Sequence, residues 1–174
     1  MSEVVDVDKT LATEIMNKQE YIPAANLKFG TVLHISDLHI PYHEPRLLDY
    51  VIDKHKGKDT VLVINGDLLD NVQLSTFANT AEHSLVDEVI AANEFIKRVS
   101  KEFQHVFVLD GNHERRLNRY IGKNAKELAF LMPTTLNYYT VRELSFGEGG
   151  LFQAGKEIPG VTYIEERFFL INNV

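Results

Sequence analysis

Three short segments of the sequence carry side chains that bind divalent metal ions. They are DLH at residues 37–39, NGDLLD at residues 65–70 and DGNHE at residues 110–114. Divalent ions such as Mn, Fe, Ni and Zn accept imidazole nitrogen and carboxylate oxygen in the same site. Each segment alone is weak support for a metal site, because an isolated Asp-x-His is more often a capped turn than a pair of ligands.

Taken together, the three segments predict a site for paired metal ions. Two ions about 3.5–4 Å apart need a bridging ligand, and one carboxylate with its two oxygens supplies it. Gly66 and Gly111 precede Asp67 and Asn112, so the backbone can turn sharply and direct these side chains towards the ions. A water shared by the ions loses a proton at neutral pH and becomes a nucleophile. The predicted chemistry is therefore hydrolysis.

The elements that must position these segments are strands of one sheet. Each segment directly follows an apolar run that predicts a buried strand, at residues 31–36, 60–65 and 105–109. Apolar residues at helical spacing over 45–56 and 82–102 predict helices between the strands. This alternation is typical of an α/β sheet with parallel strands. Functional residues in such sheets lie just beyond the carboxyl ends of the strands, so the three segments should meet there.

The remaining parts of the chain are expected to serve as extensions and connectors. Residues 8–20 predict a helix, so residues 1–30 are interpreted as an N-terminal helical extension and residues 31–174 as the domain. The glycine-rich stretch at 147–160 is expected to form a loop.

The composition excludes several classes of site. The chain has 174 residues, which allows one domain, and no Cys, which excludes disulfides, thiolate metal sites and a cysteine nucleophile. A net charge of -7 argues against a generally basic nucleic-acid-binding protein and permits a local basic patch. We find no membrane-spanning apolar run and no secretion signal, and we expect a cytoplasmic protein without a membrane partner.

The order Asp-x-His, Gly-Asp-x-x-Asp, Gly-Asn-His-Glu after three strands resembles the calcineurin-like metallophosphoesterase superfamily over residues 31–116. The resemblance implies an α/β fold, a β-sandwich flanked by helices, with two bound divalent ions (Mn, with Fe, Ni or Zn as alternatives). It implies that Asp37 and His39 hold the first ion, that Asp67 bridges both ions, and that Asn112 binds the second ion.

The resemblance also assigns the residues that handle the substrate. His113 would contact the substrate phosphate and protonate the leaving group as a general acid. Asp70 would orient His113 through a carboxylate–imidazole hydrogen bond, although a plain turn or capping role for Asp70 stays open. Arg115 and Arg116 follow closely and could bind phosphate oxygens, with a solvated helix face as the alternative.

The sequence departs from the family pattern after His113. The family completes its site with a later His and a Gly-His-x-His segment, and no His follows His113 here. Residues 168–171 predict a strand and residues 172–173 a hairpin turn. We therefore interpret the chain as the N-terminal portion of a metallophosphoesterase domain whose C-terminal part is missing. A homo-oligomer or a separate C-terminal chain could complete the site.

The substrate class is predicted by the residues after Asp70. Protein phosphatases carry Arg and Gly there, whereas this chain has Asn71 and Val72, which disfavours a phosphoprotein substrate. The pattern is similar to the small phosphoesterases of phage genomes, so the host cytoplasm is the expected location if the chain is phage-encoded. We expect a phosphodiesterase or phosphomonoesterase acting on a nucleotide or on DNA. The alternatives are an inactive or split half-domain that binds a partner chain, and a nucleic-acid-binding module that does not cleave. Whether the isolated chain is active stays open.

Overall fold

The computed structural model describes residues 29–75, 82–133, 135–147 and 152–165. The helix predicted over residues 8–20 and the strand and turn predicted over 168–173 lie outside these ranges. The described residues form six strands and four α-helices. These elements are β1 (Thr31–Ile35), α1 (Pro45–His55), β2 (Gly57–Asn65), α2 (Leu85–Glu102), β3 (Phe103–Leu109), α3 (Arg116–Asn124), α4 (Asn137–Thr140), β4 (Arg142–Phe146), β5 (Phe152–Glu157) and β6 (Val161–Ile164).

Four of the strands form a parallel sheet in the order β1-β2-β3-β6, and β4 pairs with β5 in a separate antiparallel ribbon. The helices α1 and α2 connect β1 to β2 and β2 to β3, as parallel pairing requires. The central strands β2 and β3 are buried on both faces, for example at Leu62, Val63, Val106 and Phe107. This confirms the predicted α/β architecture with a parallel sheet flanked by helices.

A capping box fixes the start of helix α2. The Ser84 hydroxyl accepts the backbone N–H of Asp87 at 3.2 Å, and the Asp87 carboxylate accepts the N–H of Ser84 at 3.0 Å. This capping box satisfies backbone donors that the helix itself leaves unpaired. The helix then buries an apolar stripe against the sheet, and the same face carries two polar side chains into the interior, Glu88 and Asn93.

Two expectations about the elements are wrong in detail. Strand β1 is exposed at Thr31, Val32 and His34, because it lies at the edge of the described sheet and pairs only with β2. The stretch over 147–160, expected to be a loop, contains strand β5. Its pairing with β4 outweighs the weak strand preference of this glycine-rich segment. No helix in the described ranges has the length and apolar character needed to cross a membrane.

Candidate metal centre

The loops that follow β1, β2 and β3 converge at the carboxyl edge of the sheet. His39 donates its backbone N–H to the Asp67 carbonyl at 2.9 Å, and Ile40 donates to the Leu68 carbonyl at 2.8 Å. The loop after β1 therefore runs alongside the loop after β2. The loop after β3 lies equally close, because a Cβ added to Gly66 would be 2.7 Å from the Cα of Gly111. The three chemical segments meet at one edge of the sheet.

The fully buried carboxylate of Glu114 ties two of these loops together. It accepts the backbone N–H groups of Asp67 and Leu69 at 3.1 Å each and that of Gly111 at 2.8 Å. Burial raises the pKa of Glu114, and these hydrogen bonds oppose that rise because they stabilise the charged form. The sequence placed Glu114 in the third segment without a role of its own, and the structure shows that it crosslinks the loops.

Backbone strain is concentrated in the same loops. The non-glycine residues of the described ranges that have positive φ are Asp37 at 55°, His39 at 49°, Asp67 at 53° and Asn71 at 53°. Asp, Asn and His tolerate this left-handed conformation better than other residues do. Each instance costs on the order of 1–3 kcal/mol and persists only where the surroundings enforce it. Strain of this kind clusters at functional sites, and here it accompanies candidate ligands.

The first donor group consists of Asp37, His39 and Asp67. One ligand atom from each of these residues lies within 4.8 Å of the others. These are the residues that the resemblance assigns to the first ion and to the bridge. One Asp67 carboxylate oxygen, Oδ1, also accepts the backbone N–H of His113 at 3.0 Å, which orients the carboxylate. Asn112 lies on the neighbouring loop and is exposed, and its assignment to the second ion stays a prediction.

A second donor group consists of His39, Asp70 and His113, again within 4.8 Å of one another. The imidazole Nδ1 of His113 lies 2.9 Å from the Asp70 carboxylate and 2.7 Å from the Asp70 carbonyl oxygen. The rings of His39 and His113 meet edge-on with centroids 4.4 Å apart. The contact between Asp70 and His113 that the resemblance implies is present, and the roles of the two residues in proton transfer stay predictions.

The donor atoms fit a metal ion. The Nδ1 atom of His39 is buried and makes no hydrogen bond within the described structure, although Asp70 Oδ1 lies 3.4 Å away. Buried polar atoms are normally satisfied, and this imidazole nitrogen beside a carboxylate is available to bind an ion. Imidazole and carboxylate together are donors suited to a divalent transition ion.

The two arginines predicted to bind phosphate have different surroundings. Arg116 donates to the Asp70 carbonyl at 2.8 Å, and its other terminal nitrogen lies 3.0 Å from His113 Nε2. Because a guanidinium can only donate, Nε2 is the acceptor in this contact. Arg115 instead donates to the carbonyl of Glu165 at 3.1 Å, at the end of β6. Of the two, Arg116 contacts the second donor group.

A buried polar network anchors the start of the third segment. The Asp110 carboxylate accepts hydrogen bonds from Tyr163 Oη at 2.8 Å, Asn137 Nδ2 at 3.1 Å and Thr135 Oγ1 at 3.2 Å. Burial raises the pKa of Asp110 to about 6, and these hydrogen bonds oppose the rise. Asp110 therefore lies in neither donor group but fixes the loop that carries Asn112. No spacing in the sequence indicates its three partners.

Comparison with known proteins identifies the family. The family model for calcineurin-like phosphoesterases matches residues 30–170, and the chain belongs to this family. The match confirms the resemblance drawn from the three segments. Neither a curated protein nor a solved structure gave a significant match to the chain. Family membership indicates metal-dependent hydrolysis of phosphoesters, and the two donor groups are residues that could hold the metal.

Proposed function

We propose that this protein hydrolyses phosphodiester or phosphomonoester bonds in a nucleotide or nucleic acid, using two divalent metal ions at the convergence of the three loops. The observation that carries the proposal is the donor group Asp37, His39 and Asp67 lying beside the Asp70–His113 pair. Carboxylates and imidazoles serve as ligands on one side, and an oriented imidazole is available for proton transfer on the other.

Asp37, His39 and Asp67 would hold the first ion, and Asp67 together with Asn112 would hold the second. When bound, the ions supply Lewis acidity, which activates water and neutralises charge on the phosphate. The protein contributes the fixed orientation of these ligands. Glu114 and the hydrogen bonds between the loops provide it, because Glu114 holds the backbone N–H of Asp67 and the backbone N–H of His113 orients the Asp67 carboxylate.

The Asp70–His113–Arg116 cluster is suited to handle the phosphate and the leaving group. A phosphate seated between Arg116 and His113 would accept the guanidinium hydrogen bonds that His113 Nε2 accepts in this structure. Nε2 would then face the substrate while Asp70 holds the imidazole by Nδ1. A protonated His113 in this position would donate to the leaving oxygen, as general acid catalysis requires.

The basic surface of α3 supports a nucleotide or nucleic-acid substrate. Arg119 and Lys123 are exposed on this helix, which begins at Arg116 beside the second donor group. The chain as a whole carries a charge of -7, so a basic patch at the centre is a local feature. Phosphate groups of a bound strand are the partners that such a patch attracts.

The test is hydrolysis of bis-p-nitrophenyl phosphate and p-nitrophenyl phosphate by protein stripped with EDTA and reloaded with Mn²⁺. We expect turnover that is lost in Asp67→Asn and retained in the control Asp53→Asn, an exposed carboxylate on α1. Absence of turnover with Mn²⁺, Fe²⁺, Ni²⁺ and Zn²⁺ would contradict the proposal. Activity only after a second polypeptide is added would favour the split half-domain. DNA binding that weakens steeply with salt, without turnover, would favour the binding module.

A further inference from the structure

Helix α2 carries a fully buried carboxylate, Glu88, that takes no part in either donor group. Its Oε2 atom accepts the backbone N–H of Asn71 at 2.6 Å. Burial raises the pKa of Glu88, and the backbone of residues 70–72 opposes that rise. Burying a charged group is costly unless hydrogen bonds compensate for lost hydration. Here the observed hydrogen bond comes from Asn71, in the loop that follows β2.

Asn71 links this carboxylate to the centre. It is fully buried, its φ is 53°, and its side-chain Nδ2 donates to the backbone carbonyl of His113 at 3.1 Å. The residue before it is Asp70, whose carboxylate lies 2.9 Å from His113 Nδ1. A continuous set of contacts therefore runs from Glu88 through Asn71 to the backbone of His113, and the same turn carries Asp70 to its imidazole.

We propose that Glu88, acting through Asn71, is a positioning residue that sets the contact between Asp70 and His113. The inference rests on the proposed hydrolytic function of that pair. Left-handed backbone at a non-glycine residue such as Asn71 is strained, and it persists only where the surroundings enforce it. The buried carboxylate holds this turn by the Asn71 N–H, and it supplies no ligand atom to either donor group. Without it the turn relaxes and Asp70 moves relative to the imidazole.

Glu88→Gln tests this at nearly constant side-chain size. The amide removes the negative charge and keeps one acceptor oxygen instead of two, so it can hold the Asn71 N–H only through a weaker, uncharged hydrogen bond. We expect kcat to fall roughly ten-fold, because small displacements of catalytic groups are costly, with KM and the Mn²⁺ dissociation constant within about two-fold of wild type. Asn71→Ala should act alike. The kcat of the double variant should be no lower than that of the more impaired single variant, because both changes interrupt one set of contacts.

Asn93→Ala is the matched control. Asn93 is also buried on α2, and it donates to the carbonyls of Thr140 at 2.9 Å and Arg142 at 2.7 Å, outside the three loops of the centre. Its replacement should lower Tm and leave kcat within about two-fold of wild type. If Glu88→Gln lowers Tm but leaves kcat unchanged, as expected of the control, Glu88 is merely structural and the proposal is overturned. Multiplicative losses in the Glu88/Asn71 double variant would also overturn it.

Amide hydrogen exchange on the metal-free chain separates this inference from the proposed function. We expect a peptide covering residues 67–75 to exchange about ten-fold faster in Glu88→Gln, with residues 89–99 of α2 unchanged. Unchanged exchange in the loop would overturn the proposal even if the wild type is active. If the wild type hydrolyses no phosphoester, the proposed function fails, and faster exchange confined to the loop still supports the positioning of the turn by Glu88.

Discussion

Replacing Asp110 with Asn should change how the stability of the protein depends on pH. The Asp110 carboxylate is buried, and its pKa is raised from 3.8 to about 6. In the unfolded chain the same group is exposed and titrates near the lower value. As the pH rises, the unfolded chain therefore loses this proton first, and the folded state becomes relatively less stable. The penalty is fully present above about pH 6 and vanishes below about pH 4.

The magnitude follows from the separation of the two pKa values. A shift of about two pH units, at about 1.4 kcal/mol per unit, corresponds to about 3 kcal/mol of stability lost at pH 8. Asn carries no charge and can still serve this network. Its oxygen can accept from Thr135 and Asn137, and its NH₂ can donate to Tyr163 Oη, which can donate to Thr135 in turn.

The measurement is urea unfolding of the EDTA-treated wild type and Asp110→Asn, followed by far-UV circular dichroism from pH 4 to pH 8. The stability of the variant relative to wild type should rise by roughly 2.5 kcal/mol across this range. Tyr163→Phe removes a hydrogen bond that lowers the pKa of Asp110, so that pKa should rise further in this variant. The loss of stability caused by Asp110 should therefore continue to a higher pH than in the wild type. If the free energies of unfolding of Asp110→Asn and wild type differ by the same amount at every pH, the reasoning is refuted.

Three further changes test the centre itself. His113→Ala should reduce kcat by about two orders of magnitude or more, with Mn²⁺ binding by calorimetry largely intact, because the residue acts on the leaving group. Arg116→Ala should raise KM by about ten-fold, since one charge-assisted contact to phosphate is lost. Gly111→Ala should lower Mn²⁺ affinity at least ten-fold and destabilise the chain by about 2 kcal/mol, because the added Cβ overlaps the Asp67 carboxylate.

Each of these changes has a matched control. His105→Ala removes a histidine of β3 that bonds to Thr162, away from both donor groups, and should leave kcat unchanged. Arg115→Ala should affect KM less than Arg116→Ala, and equal effects would contradict the assignment of the phosphate contact. Gly122→Ala adds a Cβ with nothing within 4 Å and should be tolerated. Loss of Mn²⁺ in His113→Ala would mean that His113 is a ligand, as the second donor group permits.

The fold was predictable where the sequence pattern is strong. Uninterrupted apolar runs predict the strands β2 and β3, and the helical stripe over 82–102 predicts α2, which spans Leu85–Glu102. The prediction failed for β5, because glycine-rich sequence has little intrinsic strand preference and the strand depends on its pairing with β4. It also overestimated the burial of β1, because burial depends on the position of a strand in the sheet and its edge position is not encoded locally.

The sequence predicted the candidate metal ligands, but it did not predict the buried residues that hold their loops in place. Asp37, His39 and Asp67 follow strands directly, so their meeting at one edge follows from parallel pairing. Glu88 lies in the first turn of an amphipathic helix, where a carboxylate is normally solvated. Its full burial against Asn71 could not be read from spacing, because it depends on how α2 packs on the loop after β2.

The sequence alone determined the chemistry available to this protein. The types of the donors, their order after successive strands and the absence of Cys are properties of the chain, and they indicate a hydrolytic site for divalent ions before any folding is considered. The tertiary structure decided which donors lie within reach of one another and which carboxylates serve as supports. Asp67 and Glu114, 47 residues apart, meet through a hydrogen bond to a backbone N–H, and such contacts arise only when the loops pack together. Local pattern sets element type and residue chemistry, whereas long-range packing sets the distances on which catalysis depends.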